Sequence, residues 1–299
     1  MEDLPWARVR APDFDGIKAW INSKPLKMEE LRGKVVLVDF WTYSCINCIR
    51  TLPYLKRWHE KYAAKGLVII GVHSPEFQFE GEKANVADAV KKFGIEYPVA
   101  LDSDMRMWAA YDNHYWPAKF LVDREGYIAF AHFGEGDYTL TEKAIQDALG
   151  VKAKFEKEEF PGYVFDQSTE TYAGYGKSMG LGSGLACDKN GCNVYIDQGE
   201  HEPNIIYPHG EWVQEEECLE LKKTPGQLSY RFNAREVNIV MGPVEKSASA
   251  QVFIDGKKAG KLTIDAPRMY TAYQDKKYAE REISVVFEGK VRVYAFTFG

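Results

Sequence analysis

Apolar residues in the first half of the chain alternate between short continuous runs and helical spacing. Val35–Val38 and Leu67–Val72 are mostly β-branched apolar runs. Such runs predict central parallel strands that are buried on both faces. Between them the spacing becomes helical, and Leu55, Trp58 and Tyr62 fall on one helix face. The pattern therefore predicts a strand, a helix and a second strand.

The same alternation continues to about residue 150. Helices are predicted over Glu82–Phe93 and Thr141–Leu149, with a short helix over Met105–Tyr111. Strands are predicted over Ile95–Leu101, the run after Pro117 and Ile128–His132. Thr141 is the predicted N-cap of the last helix. Residues 1–150 are therefore predicted to form one α/β domain.

The pattern changes after residue 150. Residues 151–162 are charged and end in Pro161-Gly162, which predicts a linker. Residues 163–299 lack helical periodicity and contain short alternating runs with turns at Asp255–Lys257 and Glu288–Lys290. The predicted strands are Glu236–Met241, Ala250–Ile254, Lys261–Asp265, Glu282–Phe287 and Val291–Phe298. This half is predicted to be an antiparallel β-sandwich of the jelly-roll type.

Two cysteines lie where the first helix is expected to begin. Cys45 and Cys48 are separated by two residues, so their thiols are within bonding reach across the first helical turn. A helix N-terminus favours the thiolate, which is the reactive form. We predict that Cys45 is the exposed nucleophile and that Cys48 is the buried resolving thiol. The alternative is half of a zinc site, which would need a second ligand pair such as Cys187 and Cys192.

Asp39 stands six residues before Cys45, inside the apolar strand. A buried carboxylate has a raised pKa and can accept a proton from the resolving thiol. The alternative is a carboxylate that reaches solvent at the strand end.

These motifs carry a family resemblance. Val38–Trp41 followed by Cys-x-x-Cys, with Pro53 five residues later, resembles the thioredoxin superfamily. Arg32–Leu37 is similar to the TlpA/ResA branch of thiol-disulfide oxidoreductases, and Trp41–Cys48 closely resembles the soluble C-terminal part of DipZ proteins. The likeness extends through Gly134–Tyr138. It implies a thioredoxin fold followed by a carbohydrate-binding-module-like domain.

The resemblance also implies roles for further residues. Asp39 matches the acid of the thioredoxin motif. The Trp116–Pro117 bond is implied to be cis, beside the disulfide, so that Trp41, Trp116 and Pro117 contact an extended substrate. A glutamate near the thiols is also implied, and Glu76 is our candidate, with an exposed loop position as the alternative.

Composition excludes some functions. The net charge of −6 argues against nucleic-acid binding, and no apolar run approaches the roughly 20 residues of a membrane span. The N-terminus has no apolar signal core, which would fit a cytoplasmic protein. The DipZ resemblance instead implies the soluble piece of an exported, extracytoplasmic protein. We predict no cofactor and no metal.

Two features of the second half remain open. Cys187 and Cys192 flank a tight loop, so they would form a disulfide in an oxidising compartment and remain thiols in a reducing one. Aromatic and polar side chains could bind a glycan, pack in the core or form a docking surface; they are Trp212, Tyr195, Tyr207, Tyr270, Tyr273, Asp197 and Gln198.

The leading functional hypothesis is an enzyme that exchanges disulfides with protein substrates. The resemblance favours a reductant that receives electrons from a thiol donor, for example a CcdA/DsbD-like membrane protein. One alternative is peroxide reduction: Thr42 lies three residues before Cys45 as in peroxiredoxins, but their proline position is Val38. Another is a redox-sensing module that binds a glycan or a protein.

Overall fold

The computed structural model describes residues 9–155, 166–188 and 191–299, with the side chains of 187, 188, 191 and 192 left undescribed. The chain divides into two compact units, residues 1–162 and 163–299. Most of the predicted linker, from residue 156 onward, lies outside the described residues.

Among its described residues, the first unit contains a six-stranded sheet and four α-helices. The strands are β1 Ala19–Ile21, β2 Val35–Trp41, β3 Leu67–His73, β4 Val99–Leu101, β5 Ala118–Val122 and β6 Ile128–Phe133. The helices are α1 Ile46–Tyr62, α2 Lys83–Phe93, α3 Arg106–Ala110 and α4 Tyr138–Leu149. The predicted order of helices and strands is confirmed, and β1 is an additional strand.

The sheet has β2 and β3 at its centre. Its order is β1-β4-β3-β2-β5-β6, in which β2, β3 and β4 are parallel and the other neighbours are antiparallel. Every residue of β2 is buried, because one apolar cluster packs on each face of the sheet. This sheet, with its flanking helices, is the predicted thioredoxin fold.

One helix boundary differs from the prediction. The last helix of the unit begins at Tyr138, with Asp137 at the N-cap position, and not at Thr141. Thr141 instead lies one turn inside, where its hydroxyl donates to the Asp137 carbonyl at 3.2 Å. The ring of Tyr138 stacks on Tyr54 with 3.5 Å between centroids. This packing supports the additional turn.

Among its described residues, the second unit contains β-strands and loops but no helix. Its strands are β7 Thr171–Tyr172, β8 Gly184–Asp188, β9 Gly191–Ile196, β10 Ile206–Gln214, β11 Leu219–Pro243, β12 Ala248–Ile254, β13 Lys257–Ile264, β14 Arg268–Phe287 and β15 Val291–Phe298. They enclose one apolar core, as expected of the predicted β-sandwich. The turns at 255–257 and 288–290 join β12 to β13 and β14 to β15, as predicted.

Two of these strands are much longer than the sequence pattern indicates. The predicted Glu236–Met241 is the end of the 25-residue β11, and the predicted Glu282–Phe287 is the end of the 20-residue β14. Strand β11 pairs with β10 over its first half, with β14 along most of its length, and with β15 at both of its ends. Register shifts interrupt this pairing, and such irregularities let one strand bend and serve both layers of a sandwich.

Candidate active site

Cys45 occupies the N-cap position of helix α1. Strand β2 ends at Trp41, and a short turn carries the chain to Cys45. The Cys45 sulfur accepts a hydrogen bond from the backbone N–H of Cys48 at 3.3 Å. This donor and the positive end of the helix dipole both favour negative charge on that sulfur. Cys45 is partly exposed, so an incoming disulfide can reach it.

Cys48 lies one turn further along and is only 1% exposed. Burial raises the pKa of Cys48, and the contact with Cys45 raises it further. A hydrogen bond with the Thr42 backbone lowers this pKa, and the charge of Asp39 adds a smaller increase. The two thiols therefore differ chemically. Cys45 is accessible, whereas Cys48 needs a base before it can react.

Asp39 lies in the buried middle of β2 and is 1% exposed. Burial raises its pKa to about 7, and the charge of Lys119 opposes that rise. Within the described residues, Asp39 Oδ1 has no hydrogen-bond partner. The alternative in which this carboxylate reaches solvent is therefore wrong. A carboxyl group with this pKa changes between its protonated and ionised forms around neutral pH.

Lys119 is the buried cation opposite Asp39, and our sequence analysis did not single it out. The two residues are partners across the β2–β5 ladder, and Lys119 is 0% exposed. Its ammonium donates to the carbonyl of Gly134 at 3.5 Å. The signal in the sequence was a lysine inside an otherwise apolar strand, directly after Pro117.

The loop before β5 brings a backbone acceptor to the exposed thiol. The Trp116–Pro117 peptide is cis, and the Trp116 carbonyl oxygen lies 4.0 Å from the Cys45 sulfur. The Trp116 indole donates to the Ser74 carbonyl at 2.9 Å and packs on Trp108. Trp116 and Pro117 are thus placed beside the thiol.

The ring of Trp41 lies elsewhere. Trp41 is 1% exposed and packs edge-on against His73. It therefore has no exposed face with which to make the predicted substrate contact. Tyr115 and Phe133 are the exposed rings on this part of the unit, and their centroids are 5.4 Å apart.

A different glutamate from the predicted one lies under the motif. Glu80 is 0% exposed and accepts hydrogen bonds from the hydroxyl and backbone N–H of Ser44. Its other oxygen accepts the N–H groups of Glu76 and Phe77 at 2.7 and 3.0 Å. Burial raises the pKa of Glu80, opposed by its bonds to Ser44 and Thr42. Glu76 is half-buried and meets this cluster through its backbone.

The aromatic side chains predicted to line a glycan site lie mostly in the core of the second unit. Trp212, Tyr195, Tyr207 and Tyr270 are buried, and Tyr273 packs against the core. Asp197 accepts a hydrogen bond from His201 at 2.8 Å. Gln198 and Tyr207 line an open cleft of about 730 Å³. The rings are thus mainly core residues, and the glycan prediction remains untested.

The cysteine predictions for the second unit have different outcomes. The side chains of Cys187 and Cys192 lie outside the described residues, so their pairing stays a prediction. In the part of the chain that is described, no cluster of three or more potential ligands could hold a metal ion. Cys218 is buried, and burial raises its pKa to about 12.

Comparisons with known proteins match both halves of the chain. The family model described as Redoxin matches residues 7–149, and the one described as Thioredoxin like C-terminal domain matches residues 168–299. The thiol-disulfide oxidoreductase ResA of Bacillus subtilis is 30% identical over 141 residues, which cover 47% of this chain and 73% of ResA. The chain belongs to the thioredoxin-like family of thiol-disulfide oxidoreductases.

A second relative matches almost the entire chain. Protein DipZ of Mycobacterium bovis is 34% identical over 300 residues, which cover 97% of this chain and 43% of DipZ. The chain therefore spans less than half the length of that relative. A solved structure of a thiol-disulfide isomerase from Corynebacterium glutamicum is 26% identical and covers 48% of this chain and 98% of the isomerase, with a TM-score of 0.42.

The difference in exposure between the thiols predicts selective labelling. In reduced, native protein we expect iodoacetamide to modify Cys45 at least about tenfold faster than Cys48 or Cys218, because only Cys45 is accessible at a helix N-terminus. Peptide mass mapping after timed quenching measures the three rates. Denatured protein is the control, in which the three rates should converge. Equal native rates at Cys45 and Cys48 would contradict the arrangement.

Proposed function

We propose that this protein reduces disulfides in protein substrates, with Cys45 as the nucleophile and Cys48 as the resolving thiol. The observation that carries the proposal is the placement of the Cys45 sulfur. It accepts the Cys48 N–H at a helix N-terminus, and it is partly open to an incoming polypeptide. A cysteine with a purely structural role needs neither a stabilised negative charge on its sulfur nor exposure to a substrate.

The reaction has two steps. The Cys45 thiolate attacks one sulfur of the substrate disulfide, forming a mixed disulfide and releasing the other substrate sulfur as a thiolate. Cys48 then transfers its proton to Asp39, and its thiolate attacks the Cys45 sulfur. The products are a Cys45–Cys48 disulfide and a substrate dithiol, so two electrons have passed to the substrate.

The loop at Trp116 supports an extended substrate. Its carbonyl lies 4.0 Å from the attacking sulfur and can accept a backbone N–H of the substrate. Tyr115 and Phe133 expose apolar rings for side chains next to the disulfide. Pro117 has no backbone N–H, so the Trp116–Pro117 peptide group offers the substrate only a hydrogen-bond acceptor.

The Cys45–Cys48 disulfide must be reduced again after each cycle. The likeness to DipZ supports a dithiol donor at a membrane, of the CcdA/DsbD type, and hence an extracytoplasmic site of action. Within the described residues, no helix is long and apolar enough to cross a bilayer.

Two other functions are less well supported. Peroxide reduction lacks the proline of the peroxiredoxin pattern, since Val38 stands there. A redox-sensing glycan or protein module is favoured only by the polar cleft at Gln198 and Tyr207. Neither alternative requires a protein-disulfide reductase activity.

Cysteine substitutions separate the two steps. With insulin as substrate and dithiothreitol as donor, Cys45→Ser should reduce activity at least about 100-fold, because no nucleophile remains. When reduced Cys48→Ser protein is mixed with insulin after dithiothreitol has been removed, it should instead accumulate a mixed disulfide with the substrate, visible as an adduct in non-reducing mass spectrometry. Cys218→Ser is the matched control and should retain wild-type rates. Equal rates in wild type and Cys45→Ser would refute the proposed activity.

The proposed role of Asp39 makes the second step pH-dependent. Burial raises the pKa of Asp39 to about 7. Its carboxyl group is therefore mostly ionised, and able to accept a proton, only above that pH. The rate of substrate release from the mixed disulfide should therefore rise with pH and level off above about 7.

Asp39→Asn should remove that inflection and slow the step by about 100-fold. Stopped-flow measurement between about pH 5.5 and 8.5 gives the profile. Asp123→Asn is the control, because that carboxylate only accepts backbone N–H groups in the 123–127 turn. An unchanged inflection in Asp39→Asn would exclude Asp39 as the proton acceptor.

A further inference from the structure

A histidine in the second unit lies between two carboxylates, and the exchange scheme uses none of the three groups. His201 belongs to the loop between β9 and β10. Its Nε2 is 2.8 Å from Oδ1 of Asp197, directly after β9, and its Nδ1 is 2.8 Å from Oε2 of Glu282 on β14. The side chains of His201 and Asp197 are 5% and 8% exposed, so water screens their contact poorly.

The two contacts fix the protonation state of the His201 ring. A neutral imidazole has one N–H, and its other nitrogen carries a lone pair. A lone pair facing an ionised carboxylate oxygen at 2.8 Å is repelled, because neither atom has a hydrogen to donate. Only the imidazolium form donates from both nitrogens. The geometry around His201 is therefore that of a protonated ring.

The loop and strand β10 add further groups around this contact. The Tyr207 ring lies 4.5 Å from the His201 ring, centroid to centroid. The Nδ1 of His209 accepts the backbone N–H of Asp197 at 3.3 Å. Glu200 and Glu202 flank His201 in the loop and line the same cleft. These neighbours add negative charge when ionised, which favours the imidazolium.

Strands β11 and β14 and the turn before β13 supply the remaining charges. Arg231 is the β11 partner of Glu282 across the ladder, and it forms an ion pair with Glu280. Asp255 accepts the backbone N–H of Glu282 at 3.0 Å and pairs with Arg281. Both arginines thus have their own carboxylates, and the charge of Glu282 remains available to His201.

The contact holds a segment that forms one wall of the cleft. Glu200, His201 and Glu202 line this cleft of about 730 Å³ together with Gln198, Tyr207 and Arg231. The loop is also held by two backbone donors: the Glu202 N–H bonds the Tyr207 hydroxyl at 2.8 Å, and the Asn204 N–H bonds the Arg231 carbonyl at 3.0 Å. The two charged contacts of His201 join the middle of the loop to β14.

We propose that His201 is a proton-operated clamp: its imidazolium fastens the β9–β10 loop to β14 and fixes one wall of the cleft, and loss of the proton at higher pH releases the loop. This device goes beyond the proposed disulfide exchange and does not depend on it. The neutral ring keeps one hydrogen bond at most to the two carboxylates, so one of the two connections breaks.

The direction of the pH dependence follows from the surroundings of the ring. Burial acts to lower the pKa of His201, but its contacts with Asp197 and Glu282 outweigh burial and raise the pKa. The histidine of an unfolded chain titrates near pH 6.5, roughly. The stability that the clamp contributes is therefore fully present below that pH, and it is lost as the pH rises through the higher midpoint of the folded protein.

NMR of ¹⁵N-labelled histidine rings in the full chain tests the protonation state. The His201 ring should show two protonated nitrogens at pH 6.5, and its midpoint should lie above that of a free histidine. Asp197→Asn and Glu282→Gln should each lower the midpoint, because an opposite charge is lost. A single-N–H tautomer at pH 6.5, or a midpoint that neither substitution lowers, would overturn the inference.

Amide hydrogen exchange tests the release of the loop. After correction for the intrinsic pH dependence of exchange, protection of the Glu202 and Asn204 amides should fall about tenfold or more as the pH passes the His201 midpoint. His201→Gln should show low protection at every pH. His114→Gln is the matched control, because His114 pairs with a single exposed carboxylate, that of Asp112, in the first unit. Its profile should match wild type.

Glu282→Gln keeps the exchange test decisive if His201→Gln does not fold. The Glu282 side chain is 40% exposed, and its replacement keeps the size of the group. In this variant the loss of protection should begin at lower pH than in wild type. Equal wild-type protection on both sides of the His201 midpoint, or a Glu282→Gln profile identical to that of wild type, would contradict the clamp. Both measurements are made without a disulfide substrate, so failure of the insulin assay would leave them unaffected.

Discussion

The backbone N–H of Cys48 that is directed at the Cys45 sulfur is the contact on which the rest of the site depends. It exists because helix α1 begins at Ile46, directly after a buried strand has carried the chain to that edge of the sheet. A sulfur at this position gains from the helix dipole and from an unsatisfied first-turn donor. The same geometry places the second thiol one turn deeper, where it is shielded until the first has reacted.

Shielding the second thiol creates an electrostatic problem that the fold solves with buried charges. A buried thiol releases its proton only to a nearby base, and a buried base holds its own proton too tightly unless a cation is near. Asp39 and Lys119 are neighbours across two strands of the same sheet, so their separation is fixed by the ladder. Removing either one would leave its partner charge buried and uncompensated.

Hydrogen bonds from neighbouring loops hold two segments of the site in place, the turn before Cys45 and the loop at Trp116. Glu80 ties the loop after β3 to Ser44, immediately before Cys45. Asp102 accepts the Ser74 hydroxyl and caps α3 through the N–H groups of Met107 and Trp108. The Ser74 carbonyl also accepts a hydrogen bond from the Trp116 indole, so the loop after β3 contacts both the turn before Cys45 and the loop before β5.

The sequence predicts the parts of this site that depend on local order. A buried run followed by Cys-x-x-Cys indicates β2, α1 and the roles of both thiols, since strand and helix periods are visible over a few residues. Glu80 and Lys119 were missed, because their importance comes from partners 36 and 80 residues away in the chain, Ser44 and Asp39. A glutamate four residues earlier fitted the motif equally well until the fold showed which one is buried.

The strands of the second unit show the same limit in another form. Alternation located the ends of β11 and β14, where one face packs on the core. The alternation did not reveal that β11 and β14 each begin well before these segments and run through a polar stretch. The register shifts that bend the two strands interrupt the alternation there.

The most direct test of the central claim is a redox titration of the reduced protein against dithiothreitol couples of known ratio, with the Cys45–Cys48 state read by thiol trapping and mass spectrometry. The account predicts a single two-electron transition in which these two cysteines form a disulfide with each other, with a midpoint nearer the thioredoxin value of about −270 mV than the DsbA value of about −120 mV. Failure of Cys45 and Cys48 to bond to each other at any ratio would contradict it, and a midpoint near that of DsbA would contradict the direction of electron flow.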